Sequence, residues 1–434
     1  MKTYRYPLFC LVILLASCDQ RKEIIADIYQ PRYAHEAYTH ILKTAGADQS
    51  RLGQLWLQAA TAALSSPVHI ETPYATDIYV SDDEATAFGY RFEGRRGQIV
   101  TISLTIDAPD EGDVYMDLYR LSEEEAPIHF ASADTTYHKI EFEPKTDQAY
   151  VLRIQPELLR RGRYRLEIRS AAALAFPVTG KSKNAIGSLF GAPRDAGRRI
   201  HHGVDIFARR HTPIIAPCDG YIRSTEPNEL GGEVIWMRDD EREQTLYFAH
   251  LHEVLVDPGT YVNQGDTIAT VGNTGNAKTT SPHLHFGIYN NGPIDPYNFI
   301  VDPRMRFKTE LAKVDLIGQN IRTNKTAQLK SLDPSTPTLS LIEDQLLHVR
   351  GTSGMYYHVE LPDGKSGLIG YRDIEKLSRP LRQGLPQRSD LLDEPTESSL
   401  VLAASTSLSE AKAMALHGDY TYIYIGEQYS WVKS

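Results

Sequence analysis

Strict alternation of apolar and polar residues is the feature that most narrows the folds open to this chain. Val100, Ile102, Leu104 and Ile106 alternate with Thr101, Ser103 and Thr105, and Val114, Met116 and Leu118 repeat the period. A period of two turns one face of each run toward a core and the other toward water, as in a half-buried strand. Tyr150, Leu152 and Ile154, then Tyr164, Leu166 and Ile168, extend the pattern after turns rich in Asp, Glu, Gly and Pro, so residues 70–172 read as a β-sandwich. Over 175–303 the apolar runs shorten, and turn signals crowd between them: Asp219-Gly220, Pro258-Gly259, Gly272-Asn273-Thr274-Gly275 and Asn291-Gly292. Antiparallel β is again the expectation.

A length of 434 residues suits about three domains at roughly 150 residues each. Hydrophobic residues at 41% and charged residues at 24% exclude wholesale disorder and a polytopic membrane protein. Lys and Arg number 46 against 56 Asp and Glu, for a net charge of −10. No basic stripe offsets that excess, so nucleic acid is excluded as a partner. Residues 18–66 read as a helical segment. Pro31 opens a first helix with Tyr33, Ala37 and Ile41 at a spacing of four, and Gly46 closes it. A second runs from about Gln49 to Leu64 and ends at Pro67, making the pair a spacer or cap.

The N-terminus carries Lys2 and Arg5 before an apolar run from Leu8 to Ala16, too short to span a bilayer and suited to a signal peptide. Leu15-Ala16-Ser17-Cys18 resembles the bacterial lipobox. That resemblance implies a lipoprotein signal peptide over 1–17 and a lipid on Cys18. The chain is then anchored in the cell envelope, on the periplasmic face of the inner or outer membrane or at the cell surface. Cys10 leaves with the signal. Cys218, in Ala216-Pro217-Cys218-Asp219-Gly220, reads as a small buried residue beside a turn and not as a nucleophile.

Beyond residue 310 the composition shifts. Two alternating strands flank Pro362-Asp363-Gly364 between Tyr356 and Ile369, which resembles the bacterial SH3-like barrel and assigns one to 312–378. Tyr420-Thr421-Tyr422-Ile423-Tyr424-Ile425 and Trp431-Val432 suggest a second SH3-like copy over 388–434. The fold class expected is therefore mainly β and multidomain: a short helical segment, a β-sandwich, an antiparallel-β domain and SH3-like barrels.

Seven of the fifteen histidines, His201, His202, His211, His250, His252, His283 and His285, fall between 201 and 285. Scatter would put about three there. In His283-Leu284-His285-Phe286 the two imidazoles share one strand face, their Cα atoms about 6.6 Å apart, so one can ligate a metal while the other stands behind it. His201 and Asp205 would sit roughly 13 Å apart on an extended run and can reach one ion only if the chain bends. Gly203 allows a bend and leaves no side chain between them. Two His and one Asp leave a fourth tetrahedral position for water, as catalytic zinc requires.

His201-x-x-x-Asp205, His250 after an apolar strand, and His283-x-His285 together resemble the lysostaphin-type (LytM-like) peptidoglycan metalloendopeptidases. Gly203-Val204-Asp205-Ile206, Ala216-Pro217-x-Asp219-Gly220, Val262-x-x-Gly265-Asp266 and Gly272-x-Thr274-Gly275 share the likeness, which covers 175–303. The resemblance implies one catalytic zinc on His201, Asp205 and His285. His250 and His283 are then an uncoordinated catalytic pair, and zinc-activated water hydrolyses peptide cross-links of peptidoglycan. Acid should silence the enzyme as one of that pair protonates, near about pH 6.5 for an unperturbed imidazole. His202 and His252 should line the cleft wall or face solvent, and His211 should lie in a loop. His35, His40, His69, His129, His138, His348, His358 and His417 have no partner spacing and read as surface or core residues. The rival readings are a non-catalytic activator or scaffold of other murein hydrolases, and a wall-binding protein acting through its accessory modules.

Overall fold

The computed structural model describes residues 30–81, 85–108, 112–194, 197–303, 314–331, 336–385 and 388–434. Cys18 and the signal segment lie outside the described residues. Helices α1 (Ala34–Thr44) and α2 (Arg51–Ser65) follow one another, and Ser50 caps the second by accepting from the Gly53 N–H at 3.1 Å. Both dock on the outer face of a five-stranded sheet. Buried Trp56 donates to the Pro156 carbonyl at 2.9 Å, and Gln155 donates to the Trp56 carbonyl at 2.9 Å. His35 stacks on Trp56 and bonds Gln155 Oε1 at 2.6 Å. The helical pair is thus a cap on the sheet.

That sheet runs Val68–His69, Phe88–Gly94, Gln148–Pro156, Val114–Leu121, Pro127–Ser132. It faces a second sheet across a core containing Val100, Ile102, Leu104, Met116, Leu118, Leu152, Ile154, Leu166 and Ile168, the alternating residues of the sequence. The second sheet does not stop at the sandwich. Strand Tyr74–Val80 pairs on one side with Gly162–Ala172 and on the other with Leu346–Ser353, matching Asp77 to Thr352 and Ile78 to Gly351. Strands Tyr356–Glu360 and Ser366–Gly370 continue it. One nine-stranded sheet therefore joins stretches that the sequence suggests are separate. Pairing partners more than 270 residues apart leave no local pattern to read.

Between them the chain forms a ten-stranded antiparallel sheet, whose main path is Ile186–Ser188, Val204–Phe207, His283–Tyr289, Gln244–Val254, Glu233–Asp239, Gly220–Ser224, Tyr261–Val262. Val204, Ile206, Phe248, Leu284, Phe286 and Ile288 fill its core with less than 1% exposure, and Cys218 is buried in the same cluster. The opposite face of the three central strands is left for polar side chains. Arg242, opposite Glu143 of the sandwich at 2.9 Å, and Leu174 N–H on the Phe299 carbonyl at 2.8 Å tie the two bodies together. Residues 382–433 contribute a further six-stranded sheet.

Candidate metal centre and active site

Strand pairing brings the site together. Asp205 stands directly across from His285 and Phe207 from His283, while Ala249, beside His250, pairs with His285 from the other flank. His201 precedes its strand and folds back over the same face. Its Nε2 is 2.9 Å from Asp205 Oδ1 and 2.9 Å from His285 Nδ1, and the last two atoms are 3.0 Å apart. The bend at Gly203 needs space and not a left-handed backbone. A Cβ there would stand 2.3 Å from the Phe286 carbonyl oxygen and 2.9 Å from His285 Cε1.

The three converging atoms fit a cation. His201 Nδ1–H donates to the Leu189 carbonyl at 2.9 Å, so in the neutral ring it is Nε2 that turns a lone pair toward a carboxylate oxygen. Electron-rich atoms at 2.9–3.0 Å repel unless something positive lies among them. Burial pushes the His285 imidazole below its ordinary pKa, against the hydrogen bond and charge of Asp205, and so works against a proton as that positive group. Burial also opposes ionisation of Asp205, but positive charge placed among the three atoms, whether on the rings of His201 and His285 or on a cation, outweighs it and holds the carboxyl far below the usual range. Two nitrogens and one oxygen, all buried or half-buried, are the donor set of a catalytic zinc site. Among the described residues these three form the one cluster able to hold a metal.

His250 and His283 flank the cluster, with ring centroids 5.0 Å apart and His250 6.0 Å from His285. Each spends its Nδ1–H on a backbone carbonyl, His250 on Thr274 at 3.0 Å and His283 on Ser281 at 2.8 Å, so that Nε2 is the ring nitrogen left for other partners. His250 sits at a β-bulge where Ala249 and His250 together oppose Val234, and its φ is +61°. A non-glycine residue there stores strain and re-aims a side chain. Its N–H bonds Gly231 O at 2.7 Å. The Gly272-x-Thr274-Gly275 motif is the other half of that support. Thr274 Oγ1 donates to the Leu251 carbonyl at 2.8 Å, and Gly275 has φ +66° where a Cβ would meet Leu230 O at 2.4 Å. Burial, with the neighbouring imidazoles of His283 and His285, pushes the His250 pKa down to about 4, well under the value expected of an unperturbed ring.

All five residues line a groove of about 940 Å³, with Arg194, Arg198, Trp236, Tyr247 and Tyr289 among the other walls. His202 is exposed on that groove, and exposed His252 meets His211 edge-on at 4.1 Å. Arg194 and Ser188 escape sequence reasoning. Arg194 Nη2 is 2.7 Å from Asp205 Oδ2 and 2.7 Å from Ser188 Oγ, yet neither residue belongs to any spacing pattern.

Residues 199–296 match the family model described as Peptidase family M23. The chain is 34% identical over 140 residues to an L-Ala–D-Glu endopeptidase of Bacillus subtilis strain 168, covering 30% of this chain and 43% of that protein. It is 38% identical over 94 residues to the peptidoglycan DD-endopeptidase ShyC of Vibrio cholerae, covering 22% and 21% of the two chains. It therefore spans less than half the length of these curated relatives. Among solved structures, the catalytic domain of lysostaphin from Staphylococcus simulans is 30% identical, with a TM-score of 0.24, over 25% of this chain and 86% of that one. The complete His201, Asp205 and His285 cluster falls inside the segment that matches Peptidase family M23.

Proposed function

We propose that the chain is a zinc-dependent endopeptidase that hydrolyses peptide cross-links of bacterial peptidoglycan, held in the cell envelope by a lipid on Cys18. The observation that carries this reading is the convergence of His201, Asp205 and His285 ligand atoms at 2.9–3.0 Å on a groove shared with two further histidines whose Nδ1 atoms are held on backbone carbonyls. The relatives' activities on peptidoglycan support the substrate class, and a wall substrate in turn suits an extracytoplasmic, lipid-anchored chain.

His201, Asp205 and His285 would hold the zinc, which when bound supplies a Lewis acid that polarises the scissile carbonyl and makes water acidic. His250 and His283 do the proton work. With Nδ1–H fixed on a backbone carbonyl, each ring has Nε2 left to accept or hold a proton. One, neutral at the start, takes the proton of the attacking water and returns it to the leaving amine; the other, when its Nε2 carries a proton, donates a hydrogen bond to charge developing on the carbonyl oxygen. A neutral ring suits the first of these roles, and burial keeps His250 neutral to low pH.

Residues 70–172 serve on this reading as an accessory sandwich, and 312–378 and 388–434 as SH3-like modules that bind wall or border the groove. Digestion of purified peptidoglycan by wild type and by His285→Ala, with mass spectrometry of the fragments, tests the proposal. Wild type should release cut cross-links and the variant none. Fragment masses tell a D-Ala–diaminopimelate cut from a glycyl-bridge cut, and intact peptidoglycan with a zinc-free wild type would favour a non-catalytic activator.

A further inference from the structure

The carboxylate of Asp205 has two oxygens, and the structure uses them differently. Oδ1 faces His201 and His285 at 2.9 and 3.0 Å. Oδ2 accepts from Arg194 Nη2 at 2.7 Å, and the same nitrogen donates to Ser188 Oγ at 2.7 Å. Nη2 carries two N–H groups, so one guanidinium nitrogen serves both bonds at once.

The surrounding backbone fixes all the parties. Arg194 ends the short strand Pro193–Arg194, paired with Arg199–Ile200, which runs directly into His201. Gly191 N–H donates to the His201 carbonyl at 2.8 Å, and His201 N–H donates to that of Ala192 at 2.9 Å. Ser188 lies opposite Asp205 across the edge-strand pairing. The arginine is held between a strand neighbour of the carboxylate and the carboxylate itself.

We propose that Arg194 is a positioning residue that confines Asp205 to one-oxygen ligation, with Ser188 as its second anchor. This rests on reading His201, Asp205 and His285 as the ligand set. A carboxylate free to turn can bind an ion through both oxygens. The second oxygen would then fill the corner that solvent and substrate need, and would blunt the ion's acidity. With Oδ2 engaged by a charge-assisted bond, Oδ1 alone points at the centre. Like charge on the guanidinium and the ion opposes this arrangement, but Arg194 keeps 34% of its side chain in water, which screens that repulsion.

Zinc affinity by chelator competition and the visible absorption of the cobalt(II)-substituted full chain test the idea. Arg194→Ala should bind zinc about 10–100-fold more weakly. Its cobalt absorption should also weaken as the coordination number rises above four, and kcat should fall with KM unchanged. Arg194→Gln keeps an N–H donor without the charge and should recover most of both metal readouts. Ser188→Ala should shift the cobalt spectrum in the same direction by less. Wild-type zinc affinity and cobalt spectrum in Arg194→Ala overturn the proposal, as does a glutamine variant no better than alanine. Should Arg194→Ala not fold, Ser188→Ala decides alone, and an unchanged cobalt spectrum there overturns it. A wild type that takes up neither zinc nor cobalt refutes the ligand set itself, a different failure.

Discussion

A methyl group at position 203 would stand 2.3 Å from the Phe286 carbonyl oxygen and 2.9 Å from an atom of the His285 ring. The nearer contact is backbone in a central strand and cannot swing aside. Gly203→Ala should therefore cost about 1–3 kcal/mol of stability and displace His285. Differential scanning calorimetry and zinc content check both effects, and a variant that melts and binds zinc like wild type would refute the packing argument. The two histidine classes separate by a different measurement. His250→Ala and His283→Ala should retain one zinc per chain while kcat falls by about 10²–10⁴, whereas His201→Ala and His285→Ala should lose the metal. Atomic absorption beside kinetics distinguishes them. The grouping of His201, Asp205 and His285 was legible because strand periodicity and a short His-x-x-x-Asp spacing are local features. Arg194 was not, because its link to Asp205 depends on two short strands folding back, and a lone arginine in a two-residue strand carries no pattern. The pKa of His250 was equally hidden, since it follows from burial and neighbouring rings and not from residue type.

At the scale of elements, the docking of α1 and α2 depends on a buried imidazole. His35 is 5% exposed, and burial, aided by the charge of Arg153, lowers its pKa from 6.5 to about 4 against the opposing effects of Gln155 and Asp117. The sign follows from proton uptake. Above about pH 6.5 the ring is neutral in folded and unfolded chains alike, and stability is complete. As pH falls from there toward 4, the unfolded chain binds a proton that the folded chain refuses, and stability drops. Below about 4 both forms are protonated and the loss stops, after a total of roughly 3 kcal/mol. Urea unfolding at pH 7.0 and pH 4.5 should show wild type losing more than His35→Gln, which cannot titrate. Equal losses would remove His35 as the cause. The strands themselves were plain in the sequence wherever one face meets water, as from Val100 to Ile106. The bulge at His250 was not, because nothing in Phe248-Ala249-His250-Leu251 marks an extra residue until its partner strand is known.

For the molecule as a whole, the pairing of Tyr74–Val80 with Leu346–Ser353 matters most. Thr76, 1% exposed, donates from its hydroxyl to the Thr352 carbonyl at 2.7 Å, and Tyr79 packs on the core of the later segment. A fragment of residues 30–303 would bare that edge, and exposed edges recruit other strands. It should melt lower than the full chain and self-associate, as light scattering would show; a monodisperse fragment of unchanged melting temperature would count against a shared sheet. Composition and alternation suggested separate β bodies but not that two stretches would share one sheet, because distant pairing is settled by edges and not by runs. The same pairing makes the groove-bearing segment an excursion, leaving a common slab at Ala172 and returning to it at Asn320. A protease that nicks the groove-bearing loop of chain would thus not release the carboxyl-terminal portion, which stays clasped to the amino-terminal one like two halves of a buckle.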